Sequence, residues 1–507
     1  FNILQLNNLG VLKEKMSKKI VVIGSGFGGL AVAIRLLAHG YDVTIYEKQN
    51  KPGGKAYVFE KNGFKFDAGP TVITAPFLLE ELFSLADKDI NNYVTLKPLN
   101  PFYRIFNEDG KYFEYNSEDD FIHSQISKFN YNDIYGYDKF IEKTKPIFEK
   151  GFVELADKPF LKFSDMLKVA PHLIWLKSYK SVYKYVSSYI ENEFLRRCFT
   201  FHPLLIGGNP FNTSSIYSLI HYLERRWGVH YAEGGLGALV NALEKLIYDL
   251  GGKIEYNSEV KEISLQGKRA QGIKLFNGKI INADYIIANS DISYTYLNMV
   301  NQRVLKKYSS TKIDKMKHSM SLFVLYFGAN KDYSNSTLEH HNIILSKRYK
   351  ELINEIFNGK SLPEDFSLYV YMPTKHDKSI APHGTSLFYA LSPVPNLKAD
   401  INWNKVSLEY SEKIIDFLEN NYLPDLKNNI SVKFHIDPVF FRNHYNCYLG
   451  SAFSFQPTLT QSAWFRPHNK SEDIENLYFV GAGTHPGAGL PGVISSAKIV
   501  ERLIIAN

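Results

Sequence analysis

Apolar and polar positions along the chain fall into three separated islands where short β-branched runs alternate with helical stretches. In the first island, Ile20-Val21-Val22-Ile23 is a continuous apolar run, as expected of a parallel strand buried on both faces. Glycines follow, then a helical stretch from Leu30 to His39 that ends at Gly40. Asp42 to Glu47 reads as a second strand, and Gly53-Gly54 breaks the chain after it. The second island runs from Glu233 to Asp291. A helix over Ala238–Leu250 is bracketed by glycines, and a strand starts at Lys253. A β-meander around Asn277-Gly278 follows, then the buried strand Ala283–Ala288. The third island pairs Leu477–Val480 with a Gly-rich loop and a final helix from about Val493 to Ile505.

The stretches between the islands are rich in Tyr, Phe and Lys and carry no internal repeat. Three islands of one α/β character predict a single discontinuous domain, with a second one built from the insertions. The boundaries read as 16–110, 231–295 and 441–507 for the first, and 111–230 with 296–440 for the second. Met16 looks like a natural start, so residues 1–15 read as an extension outside the fold.

Composition narrows the class. With 507 residues, 45% hydrophobic and 22% charged, the chain is globular and large enough for several folding units. A net charge of +7 is mild at this length and argues against nucleic acid as a partner. The two cysteines, Cys198 and Cys447, form no CxxC pair, so neither a zinc ribbon nor a disulfide framework is predicted; this fits a reducing cytosol, with no metal. The longest apolar stretch is interrupted by glycines and Arg35 and makes a poor membrane span. The first 15 residues do not read as a secretory leader.

Gly24-Ser25-Gly26-Phe27-Gly28-Gly29 fits GxGxxG between a strand and a helix. Gly24 permits the tight turn, Gly26 lets backbone approach a pyrophosphate, and Gly29 permits close strand–helix packing. The helix N-terminus offers free N–H groups to that anion. Glu47, at the end of the second strand, is placed to bind ribose hydroxyls, which favours FAD or NAD over NADP.

The segments that follow, Lys51–Ala56 (KPGGKA) and Phe66–Thr71 (FDAGPT), resemble the flavin amine-oxidase and carotenoid-desaturase superfamily. With Gly207–His221, Leu459–Asn469 and Val480–Lys498, they make the chain similar to the bacterial phytoene desaturases, lycopene-forming, from Lys18 to its C-terminus. The resemblance implies a Rossmann-like FAD-binding domain, discontinuous in sequence, with an inserted α+β substrate and membrane domain. It implies FAD as cofactor and up to four desaturations of 15-cis-phytoene; another polyene, or a non-enzymatic prenyl-binding escort protein, is the alternative.

By the same resemblance, Gly24, Gly26, Phe27, Gly28, Gly29, Glu47, Lys48, Gly53, Gly54 and Lys55 bind the cofactor, with Gly69, Pro70, Thr71, Val260, Gly481, Gly483, Pro491, Gly492 and Val493. Lys55 stands where relatives usually carry Arg, so a bidentate phosphate fork is lost. Asp165 and His485 are the catalytic candidates. Ser164 precedes Asp165 where Arg is expected, which argues against an Asp–Arg partnership. The implied setting is cytoplasmic and peripheral at the membrane, with substrate drawn from lipid and oxygen or quinone as electron acceptor. His172–Ile190 has Trp175, Tyr179, Val182, Val186 and Tyr189 at helical spacing, with Lys177, Lys180 and Lys184 on another face, as in an interfacial helix.

Overall fold

The structure is a computed structural model that describes residues 18–506. The extension read over 1–15 lies outside the described residues. The three islands converge on one five-stranded parallel sheet, in the order Leu477–Phe479, Tyr285–Ala288, Lys19–Ile23, Asp42–Tyr46, Lys253–Glu255. The central strand is buried on both faces from Ile20 to Ile23, which is why its apolar run is continuous rather than alternating. Helices Phe27–Ala38, Leu236–Asp249 and Leu490–Ile505 begin two to three residues earlier than their apolar periodicity suggests, because glycine-rich turns lead straight into them. The meander Val260–Gln266, Arg269–Leu275, Ile280–Asn282 packs as a small antiparallel sheet, with Gly278 at φ +88° in its turn.

Buried Arg35 ties the layer on one face of the sheet together. It meets Glu501 at 2.9 Å and Glu81 at 2.9 Å, joining the first helix to the last and to Pro76–Ser84. A buried guanidinium is tolerated when paired and hydrogen-bonded in this way.

The second layer is a seven-stranded mixed sheet. Its order is Ile430–Ile436, Ser321–Ala329, Ser386–Val394, Leu368–Tyr371, His341–Ile344, Tyr103–Phe106, Tyr112–Tyr115. Tyr103–Phe106 pairs in parallel with His341–Ile344, so the domain boundary precedes Tyr103 rather than falling at 110. Its Tyr-Arg-Ile-Phe sequence signals a strand but says nothing about which sheet it joins.

The span His172–Ile190 is not one helix. A helix over Phe163–Trp175 ends there, Lys177 adopts φ +57°, and a separate short helix, Val182–Val186, starts at a Ser181 cap. Val182 and Val186 are core residues, whereas Trp175 and Tyr179 are exposed. Periodicity alone does not reveal the break, because Val182 and Val186 continue the spacing of Trp175 and Tyr179.

Candidate functional site

The first strand ends at Ile23, and Gly24, at φ +92°, turns the chain while its N–H donates to the Tyr46 carbonyl at 2.9 Å. No side chain caps the helix that follows, so its first N–H groups stay available to an anion. A Cβ at Gly29 would stand 2.1 Å from the Gly24 carbonyl oxygen, which no side chain survives. At Gly26 and Gly28 the obstacle is instead the Asn289 amide, at 2.8 Å and 2.6 Å. Asn289 was not singled out in the sequence. It lies just beyond the strand Tyr285–Ala288, and its amide donates to the Gly24 carbonyl at 3.4 Å, holding the back of the loop. Its one legible signal is that position, at the carboxyl end of a strand neighbouring the glycine strand.

Glu47 is buried. One of its oxygens accepts the Ser25 N–H and the Ser25 hydroxyl, each at 2.7 Å; the other accepts the Gln49 N–H at 2.8 Å. The acid is thus fixed against the glycine loop before any ribose arrives. Lys48 reaches Asn446 at 3.0 Å and Glu259 at 3.6 Å, beside Val260. Gly53 bridges in parallel to Gly26, and Lys55 donates to the Ala452 carbonyl at 2.6 Å. The Ala68–Thr71 turn is held by the second sheet: Tyr326 donates to Ala68 at 2.7 Å, Tyr389 to Gly69 at 3.0 Å, and Tyr369 bonds Thr71 at 2.6 Å. Positioning of this turn by three tyrosine hydroxyls was invisible in sequence.

The third island closes the site. Gly481 (φ +100°) donates to the Ser496 hydroxyl at 2.9 Å, and Gly489 (φ +94°) opens the last helix with Pro491 in its first turn. This is a second helix N-terminus without a side-chain cap. His485 is buried, and its Nε2 meets the Leu155 carbonyl at 3.0 Å. A carbonyl only accepts, so Nε2 carries the proton and Nδ1 keeps a lone pair with no partner among the described residues. Burial holds this imidazole down at about 4, hence neutral. Arg466 lies beneath the same loop, buried, donating to Ala482 at 2.6 Å, with no carboxylate partner among the described residues.

One cavity of about 580 Å³ joins these loops. Every predicted site residue lines it except Gly29, whose role is packing, and Asp165. Asp165 caps instead: its carboxylate accepts the Lys162 N–H at 3.1 Å at the start of Phe163–Trp175. Away from the glycine loops the wall is apolar, with Phe201, Leu205, Ile220, Leu223, Ile343 and Leu391, and it extends to Met166 and Leu173 of that exposed helix.

The residues fit a dinucleotide. Gly26 and Gly28 let the loop pack closely on Asn289, two helix starts without side-chain caps meet at the cavity, and the lining Ser454 hydroxyl and His485 Nδ1 have no hydrogen-bond partner among the described residues. The family of flavin containing amine oxidoreductases matches residues 27–505. The chain belongs to that family. The cofactor of this family is FAD, which the cradle and the buried Glu47 beside it would hold; the other half of the cavity is apolar.

Relatives narrow the branch. The lycopene-forming phytoene desaturase of Pseudescherichia vulneris is 48% identical over 491 residues, 97% of this chain and 99% of its own. That of Pantoea ananas is 47% identical, with the same coverage of 97% and 99%. The neurosporene-forming phytoene desaturase of Rhodobacter capsulatus is 40% identical, over 96% of this chain and 94% of its own. A putrescine oxidase triple mutant shares the fold with a TM-score of 0.65 at 14% identity, covering 97% of this chain and 99% of its own.

Proposed function

We propose that the protein desaturates 15-cis-phytoene to lycopene, in up to four dehydrogenations. The carrying observation is a continuous cavity that runs from the dinucleotide cradle, through an apolar wall, to an exposed apolar helix. A polyene offers no hydrogen-bonding group, so binding comes from apolar area at about 25 cal/mol per Å². FAD, when bound, supplies the hydride acceptor. The chain's own residues hold the cofactor loops, exclude water and align the polyene along the wall. Greater identity to lycopene-forming than to neurosporene-forming relatives favours the four-step product. The intact glycine cradle favours an enzyme over an escort protein.

Substrate delivery from lipid gives the exposed helix its role. No helix among the described residues is long and apolar enough to cross a membrane. Phe163–Trp175 has no buried residue, yet Phe163, Leu167, Ile174 and Trp175 are apolar and exposed, Trp175 at 72%. Lys162, Lys168 and Lys177 flank them. This is the make-up of a segment lying in a bilayer interface, with Met166 and Leu173 on the cavity side as the entry. Peripheral membrane attachment follows, with oxygen or a membrane quinone taking the electrons onward.

The test is FAD-reconstituted protein with phytoene in liposomes, with products separated by chromatography. Lycopene is expected. Neurosporene would shorten the step count, and a flavin that phytoene does not reduce in the absence of oxygen would overturn the substrate.

A further inference from the structure

Desaturation also releases a proton, and besides His485 in the closing loop the cavity wall holds another histidine, one paired with a buried carboxylate. Among the described residues, four carboxylates line the cavity: Glu47, Glu224, Glu259 and Asp291. Glu47 and Glu259 sit around the glycine loop with Ser25 and Lys48, and Asp291 caps the turn Ile292–Tyr294 just past Asn289. Glu224 alone is set in the substrate wall, next to Leu223 and Ile220. Its side chain is 1% exposed. A buried carboxylate opposite a hydrocarbon is costly, and it contributes nothing to binding that hydrocarbon.

Glu224 is paired. One oxygen accepts the Tyr103 hydroxyl at 2.7 Å, and the other lies 3.1 Å from Nε2 of His202, which also lines the cavity. An ionised carboxylate only accepts, so Nε2 of His202 carries the proton. Its Nδ1 then carries a lone pair, and that atom has no hydrogen-bond partner among the described residues. The ring is fixed by stacking on Phe201 at 4.1 Å and by the edge of His221 at 4.4 Å.

We propose that His202, oriented by Glu224, is the proton acceptor of the desaturation. The proposal rests on the polyene reading above. In each step one C–H bond breaks with its electron pair leaving as hydride to the oxidised flavin. The neighbouring C–H bond breaks with its pair forming the new C=C, and its proton passes to His202 Nδ1. The wall then changes from a buried anion held by two neutral donors to an imidazolium–carboxylate pair, which the low-dielectric setting favours. Before the proton leaves, the Glu224 charge also stabilises positive charge developing on the polyene.

The other titratable groups around the pair leave it this task. His221 donates from Nε2 to the Phe199 carbonyl at 2.9 Å and accepts from Tyr115; burial, then His202, keeps it well below the usual histidine range. His341, beyond Tyr103, bonds Tyr369 at 2.7 Å and is pushed by burial to about 3. The Tyr103 hydroxyl is driven well above its ordinary range by burial and Glu224. Arg225 is engaged by Tyr137 and Asp119.

The experiment compares holoenzyme of wild type, His202→Gln and Glu224→Gln by anaerobic single-turnover reduction of the flavin with phytoene, across the histidine titration range. The wild-type rate rises with pH through one ionisation, because the imidazole must be neutral. H202Q loses on the order of 100-fold and this rising limb, while flavin content and phytoene binding are kept. E224Q, having lost the charge that favours imidazolium, moves the limb to lower pH. In parallel, ¹⁵N-histidine spectra of the same holoenzymes identify His202 by difference and report its tautomer without substrate. H202Q with wild-type rate and limb, or a His202 that carries its proton on Nδ1, overturns the proposal. Wild-type flavin that phytoene does not bleach would instead overturn the substrate reading, while the spectra still report on the pair.

Discussion

The carboxylate of Asp67 accepts the N–H of Leu236 at 3.0 Å, across 169 residues of sequence. It also takes the Gly237 N–H at 3.3 Å and the Tyr371 hydroxyl at 3.2 Å, so a residue of the FDAGPT turn caps the helix Leu236–Asp249 and meets the second sheet at once. Burial pushes this carboxyl from 3.8 up to about 6. The folded state therefore holds a proton that the unfolded chain releases, and stability is lost as pH rises through about 6. At about 1.4 kcal/mol per unit the term is about 3 kcal/mol. Chemical denaturation of wild type and D67N should show their stability difference shrinking by about that amount between pH ~4 and ~7; a difference independent of pH would refute it.

His485 works in the opposite sense. Burial lowers it from 6.5 to about 4, so the unfolded chain binds the extra proton. Its contribution is complete above 6.5 and disappears as pH falls toward 4. The H485Q variant, which keeps a donor for the Leu155 carbonyl, should lose this acid sensitivity, worth about 3 kcal/mol. Urea midpoints for the two proteins that stay parallel across that window would rule this out. Because the two windows overlap, Asp67 and His485 partly cancel, and wild type should show a flatter acid limb than either variant.

At Gly26 the steric limit is one movable amide. A Cβ meets Asn289 Nδ2 at 2.8 Å, and its next neighbours stand at 3.9 Å. G26A should cost ~1–3 kcal/mol by overpacking. Adding N289A should recover most of that stability in a thermal melt, because it removes the amide that the new methyl meets. A double variant that melts with G26A would show that the obstacle is backbone.

The exposed helix predicts a separation of attachment from fold. L167D with I174D removes apolar side chains that no core residue needs. Co-sedimentation with liposomes should fall at least tenfold, with flavin content and melting temperature unchanged and turnover of lipid-borne phytoene reduced. Undiminished sedimentation would send the search for the membrane contact elsewhere.

Much of the nucleotide half was legible because its signals are local. A β-branched run, a glycine turn and an acid at the next strand end lie within 30 residues of one another, and Gly24, Gly26 and Glu47 sit where that pattern puts them. What stayed hidden joins residues distant in the chain. Asn289 reaches Gly24 over 265 positions, and Tyr326 reaches Ala68 over 258. His202 and Glu224 are 22 apart, and nothing in either segment announces that the rings and carboxylate face one another. The amphipathic stretch from His172 failed for a different reason. A left-handed residue at Lys177 and a serine cap at Ser181 reset the helix phase, and the apolar spacing continues unbroken across them.

The five-stranded sheet sets an order in time as well as in space. Its edge strand, Leu477–Phe479, and the glycine loop after it are made after the other four strands, although they flank the strand Tyr285–Ala288 and complete a cradle begun at Gly24. A nascent chain that has already made Gly24 through Glu47 still lacks one wall of its flavin site until Gly481–Val493 emerge. The cradle is therefore a property of the assembled fold, and its first strand–helix unit alone does not form it.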